Sequence, residues 1–160
     1  MGRADFAWAD ALRRTHFPPA RNVVRAHISL FHHLPPARLA ELERLVRELT
    51  MGPPPAAMLE APRSLGRGVA FDVRSPELLE LRDVVAERFA ADLIPQDRAK
   101  PRLHITVQNK VDPATARATL AVLAEGFVAR PLSIAGVAIW EYLGGPWRPL
   151  SEYRFRGRGA

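Results

Sequence analysis

The sequence predicts an α+β fold: two antiparallel sheets related by a pseudo-two-fold, with helices packed outside. Three features lead there. Runs with helical periodicity alternate with short β-branched runs. The order strand, helix, strand, strand occurs twice, over about residues 20–94 and again over about 100–156. Each copy opens on a strand carrying the same pattern of histidine, any residue, hydroxyl, apolar residue. At 160 residues the chain reads as a single bilobal domain, and this order is compatible with strands exchanged between the lobes.

Asp5 to His16 places Phe6, Trp8, Ala9, Leu12 and Arg13 at helix spacing, ended by Pro18-Pro19. Asn22 to Phe31 is apolar and β-branched enough for a strand. From Ala37 to Leu49, Leu39, Leu42, Leu45, Val46 and Leu49 recur every three or four positions and predict an amphipathic helix, broken by Gly52-Pro-Pro-Pro55. Strands over about Ala57–Ala61 and Gly68–Val73 follow, joined by a turn containing Gly66 and Gly68. Ser75-Pro76 reads as an N-cap with proline in the first turn of a helix running to about Leu93 and closed by Pro95. In the second copy, Arg102–Val111 is a strand, and Asp112-Pro113 caps a helix to about Ala124. Strands over Leu132–Tyr142 and near Glu152–Phe155 flank a Gly-Gly-Pro turn, and the tail from Arg156 reads as loose.

Apolar residues make up 48% and charged residues 25%, which supports a packed core and argues against global disorder. The net charge is +6, and of the cationic residues only Lys100 and Lys110 are lysine. Arginine pairs with phosphate through a planar fork of donors, so this balance favours an anionic partner such as RNA or a nucleotide. The absence of cysteine excludes disulfides, thiolate metal sites and cysteine nucleophiles. No run resembles a signal peptide or a membrane span, so a monomeric cytoplasmic protein without membrane association is expected.

The tetrads are His27-Ile-Ser29-Leu30 and His104-Ile-Thr106-Val107. Composition alone gives two such matches among the five histidines with odds of roughly 1%. Alternation along a strand points His27 with Ser29, and His104 with Thr106, while the intervening isoleucines face the other way. Each tetrad thus offers an imidazole and a hydroxyl on one face and packing groups on the other. Displacement at phosphorus needs a base on the attacking oxygen and an acid on the leaving oxygen, and two imidazoles supply both near neutral pH. The hydroxyls donate to the non-bridging oxygens. No metal or other cofactor is required. His32-His33 is no metal site on this reading, because adjacent strand residues point apart.

On these motifs the chain resembles the 2H phosphoesterase superfamily, most closely its 2′-5′ RNA ligase and cyclic phosphodiesterase branch. The resembling stretches are Ala26–His33, Pro101–Val111 and Trp140–Trp147. The resemblance implies a bilobal fold with His27 and His104 as the acid/base pair and Ser29 and Thr106 holding the phosphate. It implies an RNA end bearing a 2′,3′-cyclic phosphate, or a cyclic nucleotide, as substrate. Serine at 29 in place of the more usual threonine keeps the hydroxyl.

Further candidates for substrate binding follow from parity. Phe31 shares the His27 face and offers a stacking surface for a base. Arg102, Gln108 and Lys110 share the face of His104 and can reach a phosphate or sugar. Trp140 and Tyr142 share one face of a late strand and suit a nucleobase, although large aromatics more often pack in a core. The competing reading is a non-catalytic RNA- or nucleotide-binding module, which would not require the paired tetrads.

Overall fold

The computed structural model describes residues 1–157. In chain order the regular elements are α1 (Arg3–His16), α2 (Leu39–Leu49), β1 (Met58–Ser64), β2 (Val69–Arg74), α3 (Pro76–Arg88), α4 (Pro95–Arg98), β3 (His104–Gln108), α5 (Pro113–Ala124), β4 (Arg130–Pro131), β5 (Gly136–Tyr142) and β6 (Trp147–Arg154). They form a four-stranded antiparallel sheet ordered β3-β2-β1-β4 and a two-stranded sheet of β5 and β6, so the α+β class holds. The chain divides into two compact units, each assembled from three stretches. The first comprises residues 1–28, 57–74 and 102–133; the second comprises 29–56, 75–101 and, among the described residues, 134–157. The units are therefore not the two sequence halves.

In the first unit, one face of the four-stranded sheet is apolar. Phe71, paired with Ile105 on β3 and Pro62 on β1, lies at its centre and is 1% exposed. The Trp8 ring from α1 meets it edge-on at 5.0 Å, and Phe127, just beyond α5, meets it at 5.4 Å. Leu59, Val69, Ile105 and Val107 are fully buried with it. Residues of opposite parity share the other face: Ala70, Asp72, His104 and Thr106, with Arg63 from β1. Gly66, at φ +77°, takes the left-handed turn between β1 and β2. Gly68 lies so close to the Gln108 carbonyl that any Cβ there would collide with backbone.

The second unit packs α2 and α3 against the hairpin β5–β6. Leu42, Val46, Val85, Phe89 and Leu93 form its buried cluster, and Val137, Ile139 and Tyr153 of the hairpin lie on it. The predicted caps are present: Ser75 Oγ accepts from Leu78 N at 3.2 Å, and Asp112 accepts from Thr115 N at 2.9 Å.

Several expected boundaries move. The Asn22–Phe31 strand reduces to a single antiparallel bridge, Ile28 to Ile105. Its polar groups are taken instead by side chains of α1, and the chain leaves the first unit after Ile28. The helix expected to reach Leu93 stops at Arg88, where turn bonds from Ala90 N to Glu87 O and Asp92 N to Phe89 O replace the helical ladder. Pro95 begins α4 rather than closing α3, as its missing N–H and fixed φ allow. The Leu132–Tyr142 strand shortens to Gly136–Tyr142 because the chain changes unit after Ser133; Leu132 lies just beyond β4 and donates to Ala57 O. In the tail, Arg156 N and Gly157 N bond to Thr50 O and Gly52 O, so these two residues are held; positions 158–160 lie outside the described residues.

Phe71→Ala removes the ring that joins α1, the sheet and the segment after α5. It is expected to destabilise the fold by about 3–5 kcal/mol. Chemical denaturation monitored by tryptophan fluorescence measures this.

Candidate active site

His104 opens β3, and its imidazole Nδ1 lies 2.7 Å from the carbonyl oxygen of Arg102, two residues back. His27 repeats the arrangement, with Nδ1 2.7 Å from Arg25 O. A carbonyl oxygen only accepts, so Nδ1 is the donor in both rings. In each neutral imidazole the unprotonated nitrogen is then Nε2, the one pointing away from the backbone. Both histidines are thus held in the tautomer suited to proton transfer through Nε2.

The arginines at these positions do more than lend a carbonyl. Arg25 donates to Asp10 Oδ2 at 2.8 Å, and Arg102 donates to Asp72 Oδ2. Asp10 is 4% exposed, and the Asp72 side chain is 13% exposed. Each motif is therefore Arg-x-His-Ile-hydroxyl, with its arginine tied to a largely buried aspartate. The signal is legible as Arg25-Ala-His27 beside Arg102-Leu-His104, one element longer than the tetrads. The two aspartates, remote in sequence, carry no such signal.

Register sets the neighbours. The antiparallel bridge between Ile28 and Ile105 puts His27 opposite Thr106. Thr106 is paired with Ala70, and Ala70 with Arg63, while His104 is paired with Asp72. His27, Thr106 and Arg63 thus lie along one cross-strand row, with His104 and Asp72 in the next. Arg13 of α1, only 5% exposed, donates to Val24 O and Thr106 O at 2.8 Å each and to Asn22 Oδ1 at 3.0 Å. Asp10 Oδ1 accepts from Ala26 N at 3.2 Å. These bonds fix the segment before His27 against β3.

Ser29 is half-buried and begins the second unit. Phe31, also in that unit, is half-buried against the Leu42–Phe89 cluster and under the Arg82 guanidinium at 4.8 Å. Arg82 is 3% exposed and donates to the carbonyls of Leu30, Asp97 and Ala99. Asp97, 2% exposed, accepts from the backbone N–H of both His32 and His33 and from His32 Nδ1. Burial pushes the Asp97 carboxyl upward, but these three donors outweigh it and hold it below the usual carboxylate range. Trp140 and Tyr142 stand on the outer face of the hairpin, 40% and 59% exposed, with Tyr142 against Trp147 at 4.9 Å.

Two residues leave the expected face. A bulge in the β2–β3 pairing between Thr106 and Gln108 breaks the alternation. Gln108 is consequently buried at 2% exposure, donating through Nε2 to Thr119 Oγ1 at 2.8 Å. Lys110 lies beyond the strand in an exposed turn at φ +61°. Among the described residues, no group of three or more His, Asp or Glu gathers where a metal ion could be held.

A family model described as the 2′-5′ RNA ligase superfamily matches residues 3–146. Among solved structures, TT0787 of Thermus thermophilus aligns over 98% of this chain and 93% of its own, with a TM-score of 0.52 and 16% sequence identity. At that identity the likeness is one of fold. No curated protein sequence matches the chain.

The Arg25 hydrogen bond, aided by Ala26 N and opposed by burial, holds the Asp10 carboxyl below its ordinary value. A depressed folded value means that the stabilisation is complete above the unfolded value, near pH 4, and is lost as pH falls through the folded value. Asp10→Asn is expected to cost about 1 kcal/mol at pH 7, and the difference from wild type should shrink below about pH 4. Urea unfolding at pH 7, 5 and 3 checks both the size and the direction.

Proposed function

The chain belongs to the 2′-5′ RNA ligase superfamily, and from that premise we propose that it is a metal-independent phosphodiesterase opening 2′,3′-cyclic phosphates on RNA ends or nucleotides. The superfamily supplies the coarse activity, phosphodiesterase or ligase. The observation that carries the finer reading is the matched pair of Nδ1-to-carbonyl bonds, which puts the proton of each neutral ring on Nδ1 and its basic lone pair on Nε2.

In the proposed reaction water attacks phosphorus as the bond to one ribose oxygen breaks. One histidine takes the proton from water and the other delivers a proton to the departing oxygen. The ring is opened to a phosphomonoester, and both imidazoles regain their starting state after a net proton exchange with solvent. Thr106 supports the non-bridging oxygens from the row of His27. Ser29 is assigned the matching role on its motif position alone. With a terminal 5′-hydroxyl in place of water as the nucleophile, and the 3′-oxygen as the one that departs, the same proton transfers yield a 2′-5′ linkage. Imidazole suffices for both transfers near neutral pH, which is why the proposal includes no metal.

Wild type should hydrolyse 2′,3′-cyclic AMP, and His27→Ala and His104→Ala should each lower kcat by about 10²–10⁴-fold. Chromatographic product assays measure this. Variants that keep the wild-type rate would remove the histidines from the mechanism. A wild type inactive on cyclic nucleotides and on short RNA with cyclic ends would instead favour an RNA-binding module. Incubation with EDTA should leave the rate unchanged, whereas loss of activity restored by a divalent ion would reject the metal-free route.

A further inference from the structure

We propose that Arg63 is an anion-binding residue of the histidine face, oriented by Asp72, and that its ligand is the phosphate of a nucleotide or RNA end. The assignment rests on the reading of His27 and His104 given above. Arg63 is on β1, outside both motifs, and nothing about its sequence neighbourhood marks it. Register places it in the row of Thr106 and His27, with Ala70 between. Ala70, fully covered by its neighbours, contributes only a methyl group and so puts no tall side chain of its own between Arg63 and Thr106. Adjacent strands are about 4.8 Å apart, so Arg63 and Thr106 stand roughly 10 Å apart across β2, an interval that a long arginine side chain and a phosphate bridge together.

The hydrogen bonding supports a ligand role over a purely structural one. Arg63 Nε donates to Asp72 Oδ1 at 2.6 Å. Among the described residues its two terminal nitrogens make no hydrogen bond. A guanidinium serving only as a strand tie would be expected to close its fork on the carboxylate. Here the carboxylate holds one edge and leaves the terminal donors open. Asp72 also pairs with Arg102, so one carboxylate faces two guanidinium groups and positive charge remains in excess beside His104. The Arg63 side chain is 25% exposed, accessible to a ligand yet partly shielded from water. Planar donors so arranged suit phosphate oxygens.

The test uses adenosine 2′-monophosphate as probe by titration calorimetry, with 2′,3′-cyclic AMP as substrate. Arg63→Gln should weaken probe binding by about tenfold to a hundredfold. It should raise KM more than it lowers kcat. Arg63→Lys, which keeps the charge but not the fork, should fall between. Asp72→Asn should weaken binding less than Arg63→Gln, since the arginines remain but lose their anchor. In wild type, the probe should shift the Arg63 Nε–H resonance, a measurement that does not depend on any variant folding. Binding by Arg63→Gln within twofold of wild type, a kcat loss with unchanged KM and probe affinity, or an unshifted resonance would each overturn the proposal, as would a wild type that does not bind the probe. Arg63-dependent binding without hydrolysis would sink the phosphodiesterase reading and leave this one standing. Hydrolysis dependent on both histidines, with Arg63→Gln unaltered, would do the reverse.

Discussion

The buried guanidinium of Arg13 is the interaction on which the candidate site depends. It bonds to Val24 O, Thr106 O and the Asn22 side chain, and so joins the segment leading to His27 with the strand carrying His104. That segment has one bridge to the sheet and no ladder of its own. Its carbonyl at Val24 and its N–H at Ala26 are satisfied by α1 instead, through Arg13 and Asp10. The three acceptors are met by three different nitrogens of the planar guanidinium, a spread that the single nitrogen of a lysine would not provide. The charge is made tolerable in a 5% exposed position by these bonds and by the Phe17 ring 4.4 Å from the guanidinium carbon.

Helix α1 can do this because its sequence spacing fits the sheet. Ala9 and Arg13 lie four residues apart, and Asp10 follows one position on, so a continuous strip of the helix is buried. Trp8 at the edge of that strip reaches Phe71 on the apolar face of the sheet. One helix thus does two jobs: it closes the core with apolar groups and aligns the histidine segment with polar ones. The second unit solves a similar problem differently. Arg82 and Asp97, both nearly inaccessible, hold the carbonyl of Leu30 and the N–H groups of His32 and His33 in the chain after Ser29.

Much of the fold was legible in sequence because local rules governed it. The leucine spacing of α2, the Ser75 and Asp112 caps and the glycines between β1 and β2 act within a few residues. What escaped was set over longer range. The Asn22–Phe31 strand has good strand composition, yet backbone partners are provided by α1 and the chain changes unit within it. Leu132–Tyr142 is likewise one apolar run shared between two units. Gln108 obeys parity until a bulge turns it toward Thr119. The tetrads were visible because they are local; Asp10, Asp72, Arg63 and Arg82 were not, because a partner far along the chain leaves no periodic trace.

The longer motif explains how such short tetrads hold their imidazole rings. Histidine and a hydroxyl two residues on say only that two side chains share a face. Which ring nitrogen bears the proton depends on the carbonyl two residues before, and any amino acid has a carbonyl. Its position, however, must be fixed for the bond to hold the ring. In both motifs the residue giving that carbonyl is an arginine whose side chain is tied to a largely buried aspartate, Arg25 to Asp10 and Arg102 to Asp72. The ion pair pins the residue, the residue presents the carbonyl, and the carbonyl sets the tautomer. The two arginines are exposed while their aspartates are not, so these pairs add only modestly to stability and also orient the residues that give the carbonyls. The sequence feature that orients each imidazole is then the arginine two residues before the histidine.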